Sequence, residues 1–185
     1  DGKCYVLDEE MAAAKSGKKM PDPFVIRANV GDVIKIKFTN RLKSGRASIH
    51  ADMLAYNPND SLGINLGNNK GDQTVAPGES RTYTFYAHPE YGEAAALITD
   101  WGDVTKNVRD GLYGAIIVGP RGSRYYDPAT GRDITLKNSW RADVVVDTSI
   151  PENKGKTNYR DASLFFQDED NVIGTAFMPY AKQSA

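Results

Sequence analysis

Two histidines, one cysteine and a scatter of carboxylates and amides are the side chains of this 185-residue chain that could do chemistry. Soft-metal sites need thiolate and imidazole converging on one point. Cys4 lies at the far N-terminus, and a single cysteine excludes an internal disulfide without deciding the compartment. His50 falls in Ser48–Leu54, where a hydrogen-bonded, partly buried imidazole is the simplest reading; His88, before Pro89, reads as exposed surface. Oxygen donors are more plentiful. Asn69, Asp72 and Gln73 close a long polar loop, and Asp100 and Asp103 would lie near them once the strands close into a sandwich. Calcium takes about six to eight oxygens from carboxylates, amides and carbonyls, which these residues can supply. The simpler account is a solvated loop in which Asn, Asp and Gly serve backbone geometry. No G-x-S-x-G, H-E-x-x-H or phosphate-binding loop occurs, and Gly63, Gly67 and Gly71 lack the strand–helix setting that phosphate binding needs. Trp101 and the tyrosines read as packing. No catalytic and no organic-cofactor residues are predicted.

The elements that must position these groups are mostly strands. Lys3–Leu7 reads as a first strand, and Asp8 as the cap of a short helix over Glu9–Lys15, ended by Ser16-Gly17. Phe24–Asn29 leads through Val30-Gly31-Asp32 into Val33–Asn40, whose period-two alternation sets Ile34, Ile36 and Phe38 on one face. Ser48–Leu54, Ser80–Ala87 and Ala94–Thr99 follow, with the loop Ala55–Ala76 between the first two. Gly114–Val118, an apolar run bounded by Gly and Pro, reads as a strand buried on both faces. Ile34, Ile36, Phe38, Tyr83, Phe85, Ile116 and Val118 are the predicted core. Beyond Pro120 the character changes: Trp140–Asp147 and Ala162–Gln167 are strand candidates, and Ile150–Tyr159 reads as a mobile tether.

Composition sets outer bounds. Hydrophobic residues make up 40% and charged residues 25%, ordinary for a globular domain with a real core. A formal net charge of −1 gives nucleic-acid binding no electrostatic support. The apolar runs fall far below a membrane span. No leader is recognisable, although Asp1 is compatible with one already removed.

Four segments, in order, resemble a cupredoxin domain of multicopper oxidases: F-V-I-R-A-N-V-G-D at Phe24–Asp32, S-I-H-A-D at Ser48–Asp52, T-V-A-P-G-E-S-R-T-Y-T-F-Y-A at Thr74–Ala87, and N-V-R-D-G-L-Y-G-A-I-I-V at Asn107–Val118. The long polar loop and the P-G-E-S-R-T-Y turn are most similar to the large oxidases of the ceruloplasmin and hephaestin kind, including bacterial manganese oxidases. The resemblance implies an all-β, Greek-key cupredoxin-like sandwich, antiparallel, with one short helix near the N-terminus. Residues 1–125 would be the domain, 126–160 a linker with short strands, and 161–185 a strand belonging to a following domain or a neighbouring chain.

The family's ligands transfer only in fragments. His50 matches the first member of a His-x-His pair whose second member falls on Asp52, so the two would form at most a weak copper remnant. A second pair would fall within Thr99–Asp103, where there is neither His nor Cys, and the axial position of a mononuclear site falls near Leu112. Ceruloplasmin-like domains can carry calcium near the P-G-E turn, which brings Asn69, Asp72, Gln73, Asp100 and Asp103 forward as candidates. The resemblance therefore implies copper in the parent family but not in this domain, with calcium as a possibility. It implies an extracytoplasmic location, partners among other cupredoxin domains or copies of the chain, and a parent that oxidises a small substrate with dioxygen. The leading reading is a structural or interdomain module without catalysis of its own. A free-standing interaction or self-assembly sandwich, and a small copper- or calcium-binding protein, are the competing readings.

Overall fold

The structure is a computed structural model that describes residues 2–18, 22–69 and 71–166. Ten strands follow one another: β1 (Phe24–Asn29), β2 (Val33–Thr39), β3 (His50–Ala51), β4 (Ala55–Tyr56), β5 (Ser80–Tyr86), β6 (Ala94–Thr99), β7 (Tyr113–Gly119), β8 (Arg124–Tyr126), β9 (Arg141–Val145) and β10 (Tyr159–Ala162). Helix α1 (Met11–Lys15) continues a 3-10 turn at Asp8–Glu10, and the single-turn α2 (Pro58–Ser61) starts in the long polar loop, capped by the Asn57 side chain on the Asn59 amide.

The protein is an all-β sandwich. One sheet has the order β1-β7-β6-β3, the facing sheet β2-β5-β4. Tyr83 and Phe85 of β5, Ala96 and Ile98 of β6, and Ile116 and Val118 of β7 are buried between them. Their period-two spacing is why these segments are strands: alternate side chains leave water together. Ile34, Ile36 and Phe38 pack on this core but are only half-buried, because β2 is the edge of its sheet and has no further strand over it. Pairing is antiparallel with one exception that corrects the expected antiparallel arrangement. β1 and β7 run parallel, in the register Phe24↔Gly114 to Asn29↔Gly119. The glycine before Ala115 allows this approach, since a Cβ at Gly114 would lie 2.4 Å from the Phe24 carbonyl oxygen.

The N-terminal residues make no strand. Lys3–Leu7 crosses one end of the sandwich, fixed by the Lys3 amide on the Asp110 carbonyl (2.6 Å) and by the buried Tyr5 hydroxyl on the Ser48 carbonyl (2.7 Å). Asp8 does not cap the helix; its carboxylate meets Arg41 at 3.3 Å, and Leu7 occupies the capping position without a side-chain hydrogen bond.

Residues 124–162 form a third sheet, β10-β9-β8, over a small core of Tyr125, Ile134, Ala142, Val144 and Val146. It lies against β1. Asn138 Oδ1 accepts from the Val25 amide (2.7 Å), and the Ser139 amide donates to the Val25 carbonyl (3.0 Å), so the outer edge of β1 is covered. The Tyr125 hydroxyl reaches the Ala28 carbonyl at 2.8 Å. The stretch expected to be a tether is held as well: buried Asn153 donates to the Arg121 and Asp147 carbonyls. The strand expected at Ala162–Gln167 lies earlier, at Tyr159–Ala162, and pairs with β9 of its own chain; Gln167 onwards lies outside the described residues.

Candidate functional site

β3 is only two residues long, yet it sets His50 opposite Thr99 of β6. Alternation decides the setting. Ala47, Ile49 and Ala51 face the core, which leaves Ser48 and His50 on the other side, beneath the Asp100–Asp103 loop. His50 is buried there. Its Nδ1 lies 2.7 Å from the Leu62 carbonyl, which can only accept, so Nδ1 carries the proton. Its Nε2 is 3.2 Å from Asp52 Oδ1. Trp101 stacks on the ring at 4.0 Å between centroids, and Tyr56 meets it edge-on at 5.7 Å. The imidazole is thus boxed on two sides, with one nitrogen committed.

Asp100 is also buried, and its carboxylate is enclosed by donors. The Ser48 amide reaches Oδ1 at 2.6 Å; the Asp103 amide and Asn107 Nδ2 reach Oδ2 at 3.0 and 2.8 Å. Burial pushes the Asp100 carboxyl above the ordinary carboxylate range, while the hydrogen bonds from Asp103, Ser48 and Asn107 pull it back. Ser48 Oγ accepts from the Trp101 amide at 2.9 Å, which sets the indole over His50. Asn107 passes the network outward: its Oδ1 accepts from Lys3 Nζ (2.6 Å), and Lys3 is ion-paired with Asp110 (2.8 Å).

The residues considered for calcium fall into two separate groups. Asp100 and Asp103 belong to the network just described, with Asp103 Oδ1 accepting from Thr105 at 3.0 Å. Asn69, Asp72 and Gln73 belong to the 62–74 loop. Gln73 is fully buried; Oε1 takes the Leu62 and Gly63 amides and Nε2 donates to the Pro58 carbonyl. Asn69 bridges the Leu66 amide and the Ile64 carbonyl. Asp72 accepts from Asn65 at 2.7 Å and from Thr74, and is ion-paired with Arg46. The Asn65 bond, with Thr74 and Arg46, holds its carboxyl down to about 2. These oxygens are engaged within their own loops, and among the described residues no three His, Cys, Asp or Glu side chains are grouped to hold a metal ion.

The donors do not fit blue copper or a trinuclear cluster. At the site there is one imidazole, with a single uncommitted nitrogen, and no thiolate. Leu112, near which the axial ligand was expected, is buried and apolar, and Cys4 lies in the N-terminal segment. His88 lies at the surface with its side chain 39% exposed and its ring against Tyr86 and Tyr91. The site's main organisers, Ser48 and Asn107, carry no signal in the sequence, since neither lies in a motif and both act through contacts distant in the chain.

Residues 2–123 match the family model described as multicopper oxidase. The ferroxidase HEPHL1 of Homo sapiens is 30% identical over 160 residues, covering 80% of this chain and 13% of that protein. The Mus musculus ferroxidase HEPHL1 is 31% identical over 144 residues, covering 70% and 12%. The chain thus spans about an eighth of the length of these curated relatives. Among solved structures, Lac15 from a marine microbial metagenome aligns at a TM-score of 0.41 and 27% identity, over 55% of this chain and 25% of that one. The copper nitrite reductase from Nitrosomonas europaea aligns at 0.41 and 21%, over 56% and 32%.

Proposed function

The chain belongs to the multicopper oxidase family, and on that premise we propose that it is a cupredoxin-like domain with its copper ligands replaced, serving as a structural and interdomain module. One observation carries this reading: the positions that resemble ligand sites are occupied by groups already bonded to one another. His50 Nδ1 is tied to Leu62 and its ring is covered by Trp101, while Asp100 is saturated by three donors. Such a network stiffens a fold and leaves a lone imidazole nitrogen where a copper site needs several converging ligands. In the longer protein that the relatives' length implies, the module would position copper-bearing neighbours. The relatives' printed activity, ferroxidase, is the reaction proposed for that whole protein, in an extracytoplasmic location.

The test is copper loading of the purified 185-residue chain, followed by dialysis and metal analysis. We expect less than one copper retained per chain, no intense thiolate-to-copper absorption, and no iron(II) oxidation above buffer. Stoichiometric copper that is lost in His50→Ala would overturn the reading.

Self-association is a second reading, favoured by Leu164 and Phe166, which are 74% and 94% exposed beyond β10. Adjacent Phe165 turns the other way, onto Tyr113 at 5.5 Å. An apolar pair presented this way suits a neighbouring domain or a second copy.

A further inference from the structure

We propose that the outer face of β6 and β7 is an interface between two copies of this chain, packed face to face about a two-fold axis. The inference rests on the self-association reading and adds to it the surface and the symmetry. Ala96, Ile98, Ile116 and Val118 point into the core, so alternation turns Ala95, Leu97 and Thr99 of β6 the other way, opposite Ile117, Ala115 and Tyr113 of β7. Ala95 and Leu97 are exposed, Leu97 at 44%. Neither strand carries a charged residue: β6 reads A-A-A-L-I-T and β7 reads Y-G-A-I-I-V-G.

The apolar band continues past both strands. On one side the Asp52 amide donates to the Leu97 carbonyl (3.0 Å), which sets Met53 beside β6, 63% exposed and at a φ of 59° that its residue type rarely adopts. On the other side Phe165 rests on Tyr113, while its neighbours Leu164 and Phe166 stand outward. Charge selects the occupant. The open face of the other sheet carries Lys35 and Lys37, and the third sheet turns Arg124 and Arg141 away from its core, so two copies meeting on either face would oppose like charges. The β6–β7 face meets a copy of itself without that penalty. It also holds both halves of a self-complementary contact: Leu164 and Phe166 form a ridge, and Ala95 and Leu97 a low floor beside it. A two-fold axis sets the ridge of each copy on the floor of the other.

The experiment is sedimentation equilibrium of the full 185-residue chain, from low micromolar to several hundred micromolar, with the unfolding midpoint of every variant measured alongside. Small interfaces are transient, so we expect a reversible dimer with a Kd on the order of tens of micromolar. Leu97→Lys, which plants a charge in the floor, should weaken the dimer by at least about tenfold while the midpoint stays close to the parent's. Ala95→Lys, in the same row, should do the same and serves where Leu97→Lys disturbs folding. Val33→Lys, at an exposed apolar position on the opposite sheet, should leave the dimer intact. A chain that stays monomeric throughout overturns both this surface and the self-association reading. Association that survives in whichever β6 variant remains folded, that Val33→Lys abolishes, or that runs on beyond dimers overturns this surface and leaves the self-association reading standing.

Discussion

Arg27 and Asp161 lie 134 positions apart in the chain and meet side by side, Nε to Oδ2 at 3.2 Å and Nη2 to Oδ1 at 2.5 Å, with the guanidinium wholly buried. Arg27 also donates to the Ser139 carbonyl at 2.7 Å and lies over the Tyr125 ring. One side chain of β1 therefore holds three parts of the third sheet. Asp161→Ala should cost about 3–5 kcal/mol in urea unfolding, because it strands a buried charge. Arg27→Met with Asp161→Leu should cost clearly less than Asp161→Ala alone. Equal losses would show that the pair is not the clamp.

The surface pair beyond β10 separates association from stability. Leu164→Ser with Phe166→Ser should leave the unfolding midpoint within about 0.5 kcal/mol of the parent, as exposed positions do. If these residues are the contact proposed for neighbours, native mass measured at matched concentration should fall for the variant. Truncation before Asp161 is the wrong instrument, because it would also remove the partner of Arg27.

Gly102 tests how tightly the site is closed. A Cβ there would stand 2.7 Å from the Ala47 Cα, a backbone atom that cannot rotate away. Gly102→Ala should destabilise by about 1–3 kcal/mol through overpacking. It should also loosen the stack of Trp101 on His50, read as a change in indole fluorescence in the folded state.

Two carboxylates give the pH dependence opposite signs. Asp72, held down to about 2 chiefly by Asn65, adds stability that is present above its unfolded value near 4 and is lost as pH falls through about 2. Its exposure keeps that contribution small. Asp100 is raised by burial, so its contribution is full below the unfolded value and is lost as pH rises through the raised one. Asp72→Asn should therefore be less stable than the parent at about pH 5 and converge on it near about pH 2. The Asp72-dependent difference failing to shrink on acidification would refute this.

Much of the sandwich was legible because its strands are written in local alternation. Phe24–Asn29 and Ala94–Thr99 occur with the bounds their patterns predict, and Tyr83, Phe85, Ile116 and Val118 lie in the core. Ser48–Leu54 was read too long: the chain turns at Met53, which adopts φ 59°, a conformation its residue type does not announce. Ile34, Ile36 and Phe38 alternate correctly, but whether an alternating face is covered depends on the neighbouring strand, which no local pattern contains. The same limit hid the site. His50 and Asp100 are visible as residue types, but the groups that occupy them, the Leu62 carbonyl and the Ser48 amide, are backbone atoms common to every sequence.

The parallel pairing of β1 with β7 imposes an order on assembly. Phe24 finds its ladder partner at Gly114, and the opposite edge of β1 finds its cover at Asn138, 113 positions from Val25, and at the adjacent Ser139. When β1 leaves the ribosome, neither flank has yet been synthesised. The strand nearest the N-terminus is thus among the last to be secured, and β5–β2 and β6–β7 can pair before it. Contacts so distant in sequence close slowly. During that interval the apolar side chains on both faces of β1, Phe24 on one and Val25 on the other, stay unshielded, so a polypeptide released or paused shortly after Tyr86 would present a bare β1 to any chaperone or aggregate within reach.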